Sequence, residues 1–186
     1  MQQHYSQPEK PITFPIISKE QALLYQAFYD ENAQLGSGKF GEVYNASLNC
    51  ATIQEGVLKV QKRSDLVVKT SFEGKEKYLG NEIDILRSIP THQNIVEFVG
   101  ASENSKYCFL EKCMTGFARK TSDYEIFRDL PVNIQFAIFH NMLTSHLHLL
   151  KHDIKNMDVH LMNWLVGYDG HIKICLLYTS PSPRDA

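Results

Sequence analysis

Three glycines within eight residues, Gly36-Ser37-Gly38-Lys39-Phe40-Gly41-Glu42-Val43, constrain this chain more than any other feature. Residues 35–48 alternate in polarity around them, the period of a strand whose side chains point to opposite faces, so the run predicts a β-hairpin with a glycine-rich turn. Glycine allows tight bending and lets backbone approach another group, such as a phosphate oxygen, with no Cβ in the way. A plain hairpin turn uses glycine for the first of these reasons, and the three glycines alone do not separate the two readings.

The surroundings extend the pattern. Residues 57–62 and 66–70 are short β-branched runs suited to strands, and residues 95–101 and 106–112 are two further strand candidates. Residues 75–89 set Leu79, Ile83, Leu86 and Ile89 on one face of an amphipathic helix that Pro90 ends. Residues 131–150 carry Ile134, Ala137, Ile138, Met142, Leu143, Leu147 and Leu150 at helical period, which predicts a core helix. Residues 158–166 read as a loop entering a short strand, and residues 171–174 as another. Strands first, with one helix among them, and helix afterwards make an α+β chain. Upstream, residues 1–17 are polar and proline-bearing and are expected to be a flexible lead-in, and residues 18–33 are expected to be helical from the spacing of Ala22, Leu23, Leu24, Ala27 and Phe28 behind Ser18 as a cap.

Two charged residues fall where phosphate chemistry needs them. Lys69 ends a strand 28 residues after Gly41, from which an ammonium can reach α- and β-phosphates beneath the glycine turn. Glu82 lies on the next helix near its apolar stripe, where a carboxylate can pair with Lys69 and hold it in place.

With these residues in view, the chain resembles the protein kinase family, and its tyrosine kinase group most. The glycine run fits G-x-G-x-x-G-x-V. Leu79-Gly80-Asn81-Glu82-Ile83-Asp84-Ile85-Leu86 and His92-Gln93-Asn94-Ile95-Val96-Glu97-Phe98-Val99-Gly100 resemble that group's αC helix and following strand, and the likeness is ungapped over residues 79–100. Phe109-Leu110-Glu111-Lys112-Cys113 resembles the strand leading into the hinge. The resemblance covers residues 34–175. It implies a bilobal fold with a complete N-lobe, a twisted antiparallel sheet plus αC, over residues 34–112, and the first part of a helical C-lobe over residues 113–175. It further implies ATP and Mg2+ as cofactors and a protein as substrate. Gly36, Gly38 and Gly41 would cover the phosphates, and Leu110 would be the gatekeeper. The backbones of Glu111 and Cys113 would hydrogen-bond adenine, between apolar walls from Leu35, Val43, Val67 and Leu165.

The catalytic loop resembles the family with departures. Asp158-Val159-His160-Leu161-Met162-Asn163-Trp164-Leu165-Val166 keeps an aspartate and an asparagine at the family's separation, which implies Asp158 as acceptor of the substrate hydroxyl's proton and Asn163 as a metal ligand. Asn156 and Met157 stand where the family has His and Arg. Without that Arg, control by an activation-loop phosphate is expected to be absent. Residues 160–162 match neither Ser/Thr nor tyrosine kinase usage. The rival His152-Asp153-Ile154-Lys155 is set aside because its fifth residue on is Asp158 rather than Asn.

After Cys175 the pattern wants Asp-Phe-Gly, and the chain instead reads Leu176-Leu177-Tyr178-Thr179-Ser180-Pro181-Ser182-Pro183-Arg184-Asp185-Ala186. Residues 175–185 back-translate to a string resembling a transposon-end sequencing adapter, so residues 176–186 are expected to be a non-native tail on a truncated domain. Such a chain is expected to be inactive, poorly stable, and to leave an apolar face of the 131–150 helix uncovered.

A net charge of −2 leaves no electrostatic footprint for nucleic acid. Cys50, Cys108, Cys113 and Cys175 form no Cys-x-x-Cys pair, which fits a reduced, cytoplasmic setting, or the cytoplasmic part of a membrane receptor if a span lies upstream. His148 and His152 share a helix face, but with His140 and His146 they read as solvated rather than as metal ligands. Two function classes remain: a phosphoryl-transferring kinase, and a kinase-shaped nucleotide-binding or scaffold module.

Overall fold

The longest strands of the computed structural model fall within residues 26–54 and 57–71; the structure describes residues 10–12, 16–18, 26–54, 57–116, 128–155 and 161–175. The chain divides into two units, Met1–Ile83 with Phe98–Lys112, and Asp84–Glu97 with Cys113–Ala186.

In the first unit, β1 (Lys10–Ile12), β2 (Ile16–Ser18), β3 (Gln26–Ser37), β4 (Gly41–Gln54), β5 (Val57–Ser71), β6 (Phe98–Ser102) and β7 (Tyr107–Glu111) form an antiparallel sheet in the order β1-β3-β4-β5-β7-β6-β2. The glycine-rich hairpin joins β3 to β4, with Gly36 opposite Val43 and Ser37 opposite Glu42. β4 and β5 then run on together as far as Gln54 opposite Val57, beyond the last residue of β4 that pairs with β3, Asn49. The two strand candidates at 57–62 and 66–70 are one strand. Ala46 faces Leu66 and Leu48 faces Arg63, so two steps on β4 match three on β5, and the break in the sequence pattern is a β-bulge.

Ser18, expected as a helix cap, and residues 26–33, expected as helix, are strand. Ala27 and Tyr29 are buried while Phe28 and Asp30 are less so, a period of two. The apolar residues that fit a helical spacing fit a strand as well once β4 offers a ladder, and Tyr29 pairs with Ala46. Residues 10–12 and 16–17 of the lead-in expected to be flexible are strand, paired with β3 and β6; the rest of the lead-in, residues 19–25 of the expected helix and the expected tail lie outside the described residues.

Register gives the sheet two faces. Tyr29, Tyr44, Ala46, Leu66, Val68, Tyr107 and Phe109 pack together on one. Val43 opposite Lys69, Lys69 opposite Cys108, and Val67 opposite Leu110 line the other. After a turn in which Gly74 takes φ +75°, α1 (Glu76–Ser88) begins with an acidic residue and ends with Arg87, both favourable to the helix dipole. It buries Leu79, Ile83 and Leu86, each contributing about 1.5–3 kcal/mol. The strand expected at 95–101 starts at Phe98, because Ile95 instead makes a parallel bridge to Ile174.

The second unit contains β8 (Thr115–Gly116), α2 (Val132–Lys151), a 3-10 turn (Leu161–Asn163), β9 (Trp164–Val166) and β10 (Ile172–Ile174), the strands ordered β10-β9-β8. Asn94 ties three segments together here: its Nδ2 donates to Asn141 Oδ1 on α2 and, at 2.9 Å, to the Ile172 carbonyl. The core helix expected at 131–150 is only partly a core helix. Ile138, Ser145 and Leu149 are buried, whereas Phe136, Phe139, Leu143 and Leu147 are 49–69% exposed, the uncovered apolar face that was also expected. Among the described residues no helix is long and apolar enough to cross a membrane.

Candidate functional site

The three glycines serve two ends. Gly38 N–H donates to Gly41 O at 2.9 Å and closes the turn. A Cβ at Gly41 would lie 1.7 Å from the Thr70 carbonyl oxygen, so close approach of β4 to β5 demands glycine there. A Cβ at Gly36 would meet nothing within 4 Å, and at Gly38 only the Gly41 oxygen at 3.9 Å, so this backbone is open to an approaching ligand. The turn is braced from its stems: Tyr44 Oη donates to Glu42 Oε2 at 2.6 Å and Gln34 Nε2 donates to Glu42 Oε1 at 3.1 Å. The Glu42 carboxylate pushes the Tyr44 phenol up to about 12.

Lys69 sits on β5 facing Val43 across the ladder, and it is 8% exposed. Its Nζ donates to Glu82 Oε2, and Glu82 is 1% exposed on α1. Sheet and helix therefore present the two side chains to each other, as the sequence spacing predicts. Glu82 Oε1 is buried and makes no hydrogen bond among the described residues. A buried ammonium held by a carboxylate, beside an open glycine turn, presents positive charge and backbone N–H groups of the kind a polyphosphate takes. Val43 and Val67 are half-buried and Leu110 is 2% exposed on the same sheet face, whereas Leu35 is 51% exposed. Glu111 ends β7, and the next residue's N–H donates to the Asp65 carbonyl at 2.9 Å.

In the second unit, Asn163 closes the 3-10 turn, is 1% exposed, and accepts the Cys175 N–H on its carbonyl at 2.9 Å. Its side-chain amide carries a hard oxygen of the kind Mg2+ takes. Leu165, on β9, and Cys113 are both half-buried. Asp158, with Asn156 and Met157, lies outside the described residues. The rival His152-Asp153 pair forms the end of α2: His152 caps the helix and Asp153 adopts φ +59°. Among the described residues no group of three His, Cys, Asp or Glu side chains could hold a metal ion.

Two of the histidines, His146 and His148, are less solvated than expected, while His140 and His152 are exposed. His92 stacks on His148 at 4.5 Å, His148 lies 4.9 Å from His152, and His146 lies 5.5 Å from Trp164. His146 and His148 are half-buried, because α2 turns that face toward the segment after α1. Sequence reasoning also missed a ring contact at the glycine turn, Phe40 stacked on Tyr78 of α1 at 4.3 Å. An aromatic at the turn's tip and another one helical turn before Glu82 were its only signal.

A family model described as protein kinase domain matches residues 29–176. The probable serine/threonine-protein kinase kinX of Dictyostelium discoideum is 27% identical over 148 residues, a span that covers 77% of this chain and 13% of that protein.

Proposed function

The chain belongs to the protein kinase domain family, and on that premise we propose that it binds ATP and that its parent protein transfers the γ-phosphate to a protein hydroxyl. The observation that carries this is the buried Lys69–Glu82 pair beside the open glycine turn. In this reading residues 34–112 are the N-lobe and residues 113–175 the start of the C-lobe. Glu82 fixes the Lys69 ammonium, which neutralises α- and β-phosphate charge, while the N–H groups of the turn carrying Gly36, Gly38 and Gly41 donate to phosphate oxygens. In the first unit Leu35, Val43, Val67 and Leu110 supply apolar walls for adenine and the Glu111 backbone a hydrogen bond to its edge; in the second, Leu165 and the Cys113 backbone stand at the family's other adenine positions. Asp158 takes the proton of the attacking hydroxyl. Mg2+ bound with ATP, held on this chain by Asn163, would supply charge neutralisation at the phosphates.

Likeness to the tyrosine kinase group over residues 79–100 supports tyrosine as acceptor; the similarity to a probable serine/threonine-protein kinase of Dictyostelium discoideum supports serine or threonine. We propose tyrosine, and phosphoamino-acid analysis of a labelled peptide library decides it. A cytoplasmic site of action follows from the same reading. The second reading, a nucleotide-binding scaffold, draws on Asn156 and Met157 where the family has His and Arg in the catalytic loop.

The test is a melting curve of the full chain with and without Mg-ATP. We expect a rise in Tm that Lys69→Met abolishes; no rise with the native chain overturns nucleotide binding. Phosphotransfer measured on the full-length parent protein then separates kinase from scaffold.

A further inference from the structure

We infer that Tyr78 is a positioning residue for the nucleotide site, holding the glycine turn through a ring stack on Phe40; this rests on the reading of that turn as a phosphate-binding flap. The flap needs such a hold. Residues 34–39 are exposed, and Gly36 and Gly38 bring no side chain to fix them. Backbone bonds secure its two ends, Gly38 N–H to Gly41 O and Phe72 N–H to Phe40 O, both 2.9 Å. The Phe40 ring meets Tyr78 with centroids 4.3 Å apart and planes 22° from parallel. Lys39 Nζ lies 5.4 Å from the Phe40 centroid and Lys75 Nζ 5.9 Å from the Tyr78 centroid, so each face-rich ring has a cation near it.

Placement gives the stack its consequence. Tyr78 stands four residues before Glu82 on α1, hence on the same side of the helix one turn away. The helix that holds Lys69 through Glu82 thus also holds the tip of the flap through Tyr78. Flap and lysine are fixed to one rigid element, and a helix that shifts carries both out of register together. Tyr78 touches neither nucleotide nor protein substrate in this account; it acts through Phe40.

The experiment uses the full chain and two variants, Tyr78→Ala and Tyr78→Phe, with two measurements. Amide hydrogen exchange is followed over residues 36–41 and over 66–69 as an internal control, and Mg-ATP affinity is measured by calorimetry. We expect Tyr78→Ala to speed exchange at 36–41 while leaving 66–69 unchanged, and to weaken Mg-ATP by about two- to tenfold, the worth of one aromatic pair. Tyr78→Phe, which keeps the ring, is expected to restore both. Unchanged flap exchange in Tyr78→Ala overturns the proposal, as does a Tyr78→Phe variant that behaves like Tyr78→Ala. Faster exchange at 66–69 as well marks a merely structural role and also overturns it. Failure of the native chain to bind Mg-ATP sinks the nucleotide reading instead, and the exchange comparison still decides the stack.

Discussion

Lys69 Nζ donates to Glu82 Oε2 where both side chains are almost wholly withdrawn from solvent. Two charges so placed stabilise the fold only as a pair, since each alone carries the full penalty of desolvation. Lys69→Met is therefore expected to destabilise the chain by about 3–5 kcal/mol, and Glu82→Leu by a similar amount. The double variant should recover a large part of either loss. Urea unfolding of all four proteins checks this, and strictly additive losses would refute the pairing.

His92 is held below the usual histidine range, chiefly by burial, then by the nearby His148, His171 and Lys151. Its folded-state proton affinity is lower than in the unfolded chain, so the unfolded state binds the extra proton. Stability is then full above about pH 6.5, the unfolded value, and declines as pH falls below it. Melting curves between pH 8 and pH 5 are expected to show that decline, and His92→Gln should reduce its slope. An unchanged slope would mean that other groups carry the pH dependence.

Asn94 spends both amide hydrogens inside the second unit, on Asn141 Oδ1 and the Ile172 carbonyl. Asn94→Ala leaves those acceptors buried without it and is expected to lower stability by about 1–3 kcal/mol. Faster amide exchange at residues 172–174 should accompany the loss. A neutral substitution would show that the acceptors find other donors.

Phe136, Phe139, Leu143 and Leu147 give α2 an exposed apolar face. Such a face favours self-association of the chain. Light scattering is expected to rise with concentration, and Phe136→Lys with Phe139→Glu to suppress it while leaving far-UV circular dichroism unchanged. Scattering that persists in the double variant would place the sticky surface elsewhere.

How far the sequence could be read depended on whether a local signal had one physical interpretation. The glycine hairpin, the Lys69 strand and the amphipathic α1 each had a period or a spacing that only one element satisfies. The α+β class followed from them, and α1 spans Glu76–Ser88 against an expected 75–89. Residues 26–33 were misread because Ala27 and Phe28 suit helix and strand alike, and the ladder that decides between them comes from β4, far along the chain. The bulge at Arg63 looked like a gap between strands because a bulge interrupts alternation just as a loop does. Within the site, the Lys69–Glu82 pairing was legible from charge and spacing. The Phe40–Tyr78 stack was not, since nothing local says which way an aromatic at a turn's tip will lean.

Gly41 lies against the Thr70 carbonyl, while a Cβ would meet nothing within 4 Å at Gly36 and only the Gly41 oxygen at ordinary contact distance at Gly38. One motif therefore meets two separate physical demands. A methyl group added at position 41 would pry neighbouring strands apart and be felt by the protein even when no ligand is near. The same methyl at 36 or 38 would pass unnoticed until something tried to settle against the turn.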